Sequence, residues 1–321
     1  MNTLDHGTAA GTAEEIRSPT EERNPRTQDI DTHDSAGVVD QILAEDATVA
    51  AAVAEQRESI AALVDRAVAA LSGTGKVLYV GAGTSGRLAV LDAAELLPTY
   101  RVDRDRVRAA IAGGQEAILK PVEGAEDDPE QGRAAVADAT ADDLVIGLAA
   151  SGRTPYVAGA LEYAASVGAA TGLIACNPRA PLAAGVDVPV LVDTGPEAIT
   201  GSTRMKAGTA QKMVLNAFST AVMVRLGKTY SNLMVDVMAT NDKLRARIVR
   251  MLVQASGRSQ SECMGALQES GSPRGALVSL LGEVPAKEAA RILAAYPPDA
   301  ARRADPSGVR SAVEEALTAK H

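Results

Sequence analysis

From Val38 onward the chain alternates between two hydrophobic periods. VVDQILAEDATVAAAVAEQ (38–56) and ESIAALVDRAVAALS (58–72) place aliphatic residues at helical spacing, and Gly73 and Gly75 end the second stretch. Five short apolar runs follow: KVLYV (76–80), VRAAIA (107–112), DLVIGLA (143–149), TGLIAC (171–176) and DVPVLV (187–192). They are too short for helices, largely aliphatic and not strictly alternating, the pattern of strands buried on both faces. Between them GRLAVLDAAELL, PEQGRAAVADAT and PYVAGALEYAASVG read as helices. Strand and helix in alternation predict an α/β fold, a five-stranded parallel sheet with right-handed crossovers and helices on both faces. Ligands of such sheets bind at the carboxyl ends of the strands.

After the fifth run the pattern is helical throughout, over about 202–226 and 240–254 and then in four shorter units separated by Gly or Pro. The expected organisation is a polar N-terminal tail over 1–36, one α/β domain over 37–244 with its core at about 67–230, and a small C-terminal helical domain over 245–321. The tail is rich in Thr, Asp, Glu, Pro and Gly without a hydrophobic period, so much of it is expected to be mobile.

Composition narrows the function classes. Of 321 residues 46% are hydrophobic, but with six Tyr, one Phe and no Trp the core must be built from Ala, Val, Leu and Ile. The formal net charge of −9 and the scarcity of aromatics leave neither a basic patch nor stacking platforms, so no nucleic-acid partner is expected. The three histidines, His6, His33 and His321, all lie in polar terminal segments, which deprives a Ser-His-Asp triad of its base. Cys176 and Cys263 are isolated, which argues for reduced thiols and against a disulfide framework or a zinc site. The N-terminus lacks the basic and apolar regions of a secretion signal, and the apolar stretch MVLNAFSTAVMV is too short to span a bilayer. A soluble, cytoplasmic protein with no membrane partner is expected.

Three polar, glycine-bearing loops stand at the expected functional ends of strands. GAGTSGR (81–87) fits G-x-G-x-x-G, the dinucleotide fingerprint, but acidic ribose partners are found only at Asp103 and Asp105 in a charged loop. The hydroxyls of Thr84 and Ser85 beside backbone N–H groups suit a terminal phosphomonoester instead. SGRTP (151–155) offers Ser151 and Thr154 at a second helix start, with Pro155 in the first turn. TGSTRMK (200–206) offers Ser202 or Thr203 at a third, with Arg204 and Lys206 nearby. One such loop is ordinarily only a helix cap. Several converging on one sheet edge make a phosphate site.

These loops resemble those of the sugar isomerase (SIS) domain, a flavodoxin-like three-layer sandwich that holds phosphosugars. GAGTSGRLAVLDAAE, KPVEGAEDD, DLVIGLAASGRTPYV, GPEAITGSTRMKAGTAQKMVLN and YSNLMVDVMATNDKL together are similar to the N-acetylmuramic acid 6-phosphate etherases, as is TEERNPRTQDID near the N-terminus. Where that family reads close to D-A-S-E-C-P-P-T-F, this chain has DAAELLPTY. Ala94, Leu96, Leu97 and Tyr100 therefore depart from it, and the pocket lining beside Glu95 is expected to be altered.

The resemblance implies removal of the D-lactyl ether from C3 of the sugar phosphate, leaving N-acetylglucosamine 6-phosphate and D-lactate. Ring opening acidifies the C2 proton; a base removes it while an acid protonates the departing oxygen, and water then adds at C3. One base and one acid that exchange roles suffice, with no metal and no cofactor. The family's glutamates map onto Glu95, a charge in an otherwise apolar helix, and Glu126, within the acidic run EGAEDD that by itself reads as a solvated loop. Glu95 is taken as the donor to the lactate oxygen and Glu126 as its partner, in an order that the residues leave open. The implied phosphosugar contacts are Thr84, Ser85, Gly86, Ser151, Gly152, Arg153, Thr154 and Ser202, with Glu197 and Lys206 as second candidates for ring opening or phosphate contact. A homodimer with sites near its interface is also implied. The competing readings are a non-catalytic phosphosugar sensor resembling the glucokinase regulatory protein, and a nicotinamide-dependent enzyme.

Overall fold

The computed structural model describes residues 18–237 and 242–319. Expectations for residues 1–17, for 238–241 within YSNLMVDVMATNDKL, and for the terminal pair that includes His321 lie outside the described residues, as does His6.

Among the described residues three α-helices precede the sheet: α1 (Ser35–Asp46), α2 (Val49–Glu55) and α3 (Arg57–Ser72). The single helix expected over 38–56 is split because the Thr48 hydroxyl donates to the Glu45 carbonyl, offering the backbone an alternative to helical continuation. Then come β1 (Val77–Gly81), α4 (Gly83–Tyr100), β2 (Val107–Ile111), α5 (Glu116–Leu119), α6 (Pro129–Ala135), β3 (Leu144–Leu148), α7 (Pro155–Ser166), β4 (Ala170–Ala175) and β5 (Val188–Leu191). The five strands form one parallel sheet in the order β2-β1-β3-β4-β5, as the alternating pattern predicts. Alternate strand residues divide between two cores. Val77 and Tyr79 face α3, α4 and the long α8 (Lys206–Arg225), while Leu78 and Val80 face α7 and the end of α6. The result is a three-layer sandwich.

The chain beyond α8 is not purely helical. A short antiparallel pair, β6 (Thr229–Tyr230) and β7 (Leu233–Met234), turns through Ser231 at positive φ. Two-residue strands are too short to carry a recognisable period. Five helices follow, α9 (Asp242–Ser256), α10 (Gln260–Ser270), α11 (Pro273–Gly282), α12 (Ala286–Ala294) and α13 (Val309–Thr318). They enclose a third core that also takes in Val235 and Val237. Apolar residues ahead of the expected boundary at 244/245 thus pack with those behind it.

Residues 18–27 of the expected polar tail are held against the fold, which corrects the reading from composition there, while 28–36 are largely exposed. Ser18, Thr20, Asn24 and Thr27 are buried, and the segment is strapped to the loop before α8. Asn24 donates to the Pro196 carbonyl (3.3 Å), Thr27 to that of Ala198 (2.8 Å), and Gly201 N–H donates to Thr20 (3.1 Å). Composition counts only apolar burial and so misses a segment held by polar contacts to backbone.

Two buried charge networks lock these layers. Lys206, 1% exposed, donates to Glu45 on α1 at 2.7 Å, and Arg26 grips the same carboxylate at 2.5 and 2.7 Å. The Arg26 hydrogen bonds, helped by Lys206, hold the Glu45 carboxyl down at about 2. In the second network Asp92 of α4 accepts from Tyr79 of β1 (2.9 Å) and Ser219 of α8 (2.8 Å). Burial nevertheless pushes its carboxyl up to about 6.

Two outcomes are expected. Glu45→Gln strands the Lys206 ammonium without its counter-ion and should cost about 3–5 kcal/mol in urea denaturation. Lys206→Met leaves Glu45 on Arg26 and should cost clearly less; equal losses would contradict the network. Asp92 has a native pKa above that of an unfolded aspartate, so it favours the native state at acid pH. That contribution disappears as pH rises from about 4 to about 6. Stability curves of Asp92→Asn and the parent should therefore diverge over that window by on the order of 2–3 kcal/mol, with the variant favoured at neutral pH. Parallel curves would remove Asp92 from the pH dependence.

Candidate active site

The strand order reverses between β1 and β3, and the loops leaving those two strands lie side by side at the sheet's carboxyl edge. After β1 the chain enters α4 almost at once. Thr84 and Ser85 lie in its first turn, and Ala82, which has no hydrogen-bonding side chain, is the N-cap. Gly86 permits this tight join, since a methyl there would come within 2.6 Å of Ile111 Cγ1. The capping role open to Thr84 and Ser85 is not taken. Ser85 is turned inward and donates to Gln211 Oε1 of α8 at 2.8 Å, while a side chain at position 208 would come within 3.5 Å of the Thr84 methyl.

After β3, Gly152 adopts φ +69° where a side chain would overlap Ala180, and Asn177 anchors the loop by donating to the Ser151 carbonyl at 3.0 Å. Thr154 is the N-cap of α7 with Pro155 behind it, and its hydroxyl makes no capping hydrogen bond. Arg153 is half-buried beside it. The first N–H groups of α4 and α7 are therefore without side-chain caps at the same edge, and an anion completes such ends.

The third loop is built differently. The helix starts at Lys206 behind Met205, so Ser202 and Thr203 sit in the turn before it and do not cap it. Its N-terminus is filled from within. Fully buried Glu197 accepts from the N–H groups of Lys206 (2.8 Å) and Ala207 (2.9 Å). Burial raises the Glu197 carboxyl above the usual carboxylate range against the pull of those N–H groups. The second-rank candidates Glu197 and Lys206 are thus both engaged in internal contacts. Ser202 shares a half-buried turn with Thr203.

The carboxylates divide unexpectedly. A charge inside an apolar helix singled out Glu95, yet Glu95 is exposed, and the acid that α4 buries is Asp92. Leu91, one turn earlier on the same helical face as Glu95, is exposed too, and so is Ala94. Of the departures around it, Leu96 is buried in the core and Tyr100 packs against that core, whereas Ala94 is at the surface. Glu126 lies in a 3-10 turn (Ala125–Asp127) and is exposed on the wall of a cleft of about 350 Å³, shared with Gly83, Arg87 and Glu123. Glu95 is not part of that wall. Asp128, from the same acidic run, is occupied in capping α6.

Gln211, Asp92 and Asn177 escaped the sequence reading. The amide and carboxyl groups of Gln211 and Asp92 interrupt otherwise apolar helical faces, which was the available signal. Among the described residues no group of three His, Cys, Asp or Glu side chains is placed to hold a metal ion.

Comparison with known proteins agrees with this architecture. Residues 59–165 match the model of the glucokinase regulatory protein N-terminal SIS domain, and residues 116–221 match the SIS domain. An N-acetylmuramic acid 6-phosphate etherase of Rhizobium rhizogenes is 50% identical over 78% of this chain and 83% of its own. One of Serratia proteamaculans is 50% identical over 84% of this chain and 92% of its own. One of Thermobifida fusca is 57% identical over 83% of this chain and 88% of its own. At that identity, sustained over most of both lengths, the chain belongs to the N-acetylmuramic acid 6-phosphate etherase family.

Proposed function

We propose that the protein is a cytoplasmic N-acetylmuramic acid 6-phosphate etherase that eliminates D-lactate from the C3 ether and adds water in its place. The observation that carries the reading is the pair of helix N-termini without side-chain caps at the β1/β3 edge, beside a cleft walled by Glu126. The substrate's phosphate completes those termini through the backbone N–H groups and the hydroxyls of Thr84, Ser85, Ser151 and Thr154, with Gly86, Gly152 and Arg153 shaping the loops. The sugar then extends toward Glu126. Ser202, in the turn before α8, adds a further hydroxyl to the phosphosugar contacts, whereas Glu197 and Lys206 serve the fold on this reading, since they are engaged with α8 and with Glu45.

The chemistry needs a base for the C2 proton and an acid for the departing lactate oxygen. Glu126 removes the proton and Glu95 donates to the oxygen; the two exchange roles as water adds to C3. Glu95 reaches its place in a homodimer. Leu91, 46% exposed beside it, and the exposed Val39 and Leu43 of α1 are apolar side chains that a second copy would cover. The catalytic unit is the sandwich through α8, and the helical part that follows is an appendage packed against it through Arg274 and Ala300.

Incubation with the sugar phosphate should release D-lactate; binding without release would reassign the protein as a sensor. Glu95→Gln and Glu126→Gln should each lower release by about 10²–10⁴-fold with phosphosugar binding retained. Glu126→Gln should also lose exchange of the C2 hydrogen with solvent deuterium, whereas loss of exchange only in Glu95→Gln would swap the roles. Near-normal release by either variant would remove that glutamate from the mechanism. Turnover should be unchanged after exhaustive chelation, and activity that returns only with a divalent ion would overturn the metal-free scheme.

A further inference from the structure

Gln211 stands on the second turn of α8, 1% exposed, with its amide against the first turn of α4. Its Oε1 accepts the Ser85 hydroxyl at 2.8 Å, and among the described residues its Nε2 has no hydrogen-bond partner. A serine hydroxyl carries one hydrogen, and a phosphate dianion can only accept. With its proton committed to Gln211, Ser85 has none to offer an anion at the N-terminus of α4.

The orphaned Nε2 supplies the way out. A half-turn of the terminal amide exchanges oxygen and nitrogen within the same volume. Nε2 then donates to Ser85 Oγ, and the Ser85 proton is released toward the helix N-terminus. Each orientation leaves one amide atom unsatisfied, Nε2 in the first and Oε1 in the second, so the hydrogen-bond count alone favours neither. An anion that takes the Ser85 proton adds a charge-assisted hydrogen bond to the second orientation only and thereby selects it. Glutamate here would hold the Ser85 proton permanently, and an apolar residue would give Ser85 no donor to lean on. The amide offers both a donor and an acceptor within one fixed volume.

We propose that Gln211 is a positioning residue of the phosphate subsite, whose amide turns over when substrate binds and converts Ser85 from a donor to Gln211 into a donor to phosphate. The inference rests on the reading that the phosphate sits at Ser85, and the test separates the two. KM and kcat for the sugar phosphate, and the inhibition constant of inorganic phosphate, are measured for Gln211→Met, Gln211→Glu, Ser85→Ala and the Ser85→Ala/Gln211→Met double variant. Gln211→Glu should raise KM and the phosphate inhibition constant together by about 10–100-fold, and the near-isosteric Gln211→Met by about 3–10-fold, with kcat within about threefold of the parent. In the Ser85→Ala background Gln211→Met should add nothing, because its effect runs through that hydroxyl. Unchanged constants in Gln211→Met alongside a raised KM in Ser85→Ala would overturn the proposal and leave the phosphate reading standing. Full additivity of the two substitutions would do the same. Parental constants in Ser85→Ala would overturn the phosphate reading and the proposal with it.

Discussion

Burial of the Lys206 ammonium against Glu45 fixes how α8 sits against α1 and the N-terminal strap. A cation at the first residue of a helix is unfavourable twice over, once for its burial and once for the positive end of the helix on which it sits. Two carboxylates offset this: Glu45 meets the ammonium directly and Glu197 takes the helix's own N–H groups. Glu45 is in turn gripped by Arg26, which belongs to the N-terminal strap. The strap, α1, the 196–201 loop and α8 are therefore fastened at one point. With α8 so fixed, Gly208 lies against Thr84 and Gln211 against Ser85.

That fastening distinguishes the three helix starts at this end of the molecule. Their sequences look alike, each with small polar residues and glycine near an apolar run. The start of α8 is closed by Glu197 from inside the protein, whereas those of α4 and α7 have no side-chain cap. A helix end satisfied by an internal carboxylate leaves no room for an anion, whereas an uncapped one leaves its first N–H groups to water or to an anion. The phosphate reading thus rests on the contrast between neighbours within one edge.

On α4 the same economy separates two acids one turn apart. Asp92 is turned into the sandwich, where Tyr79 and Ser219 bind it between β1 and α8. Glu95 is left at the surface beside Leu91 and Ala94. A buried carboxylate already engaged by two hydroxyls is suited to holding layers together, whereas an exposed one is left unengaged by the fold.

How much of this was legible beforehand depends on the range of the interactions involved. The five strands and the parallel order of their connections follow from local periodicity, because a run such as DLVIGLA has the same neighbours in sequence as in its strand. The motif loops were legible as well, since a β-strand followed by Gly and a helix start is a local event. The structural role of Glu45, the internal cap by Glu197 and the pairing of Ser85 with Gln211 were not, because they join residues 161, 10 and 126 positions apart. Polar contacts at such separations leave no period in the chain. The same holds for the strap at 18–27, which is polar in composition yet held by backbone carbonyls about 170 residues away. The layers, and the edge on which chemistry would gather, are written in the local pattern of the chain. The tertiary structure decided which polar groups on that edge are spent on one another and which remain to meet a substrate, because burial and pairing are properties of a neighbourhood that only the folded chain assembles.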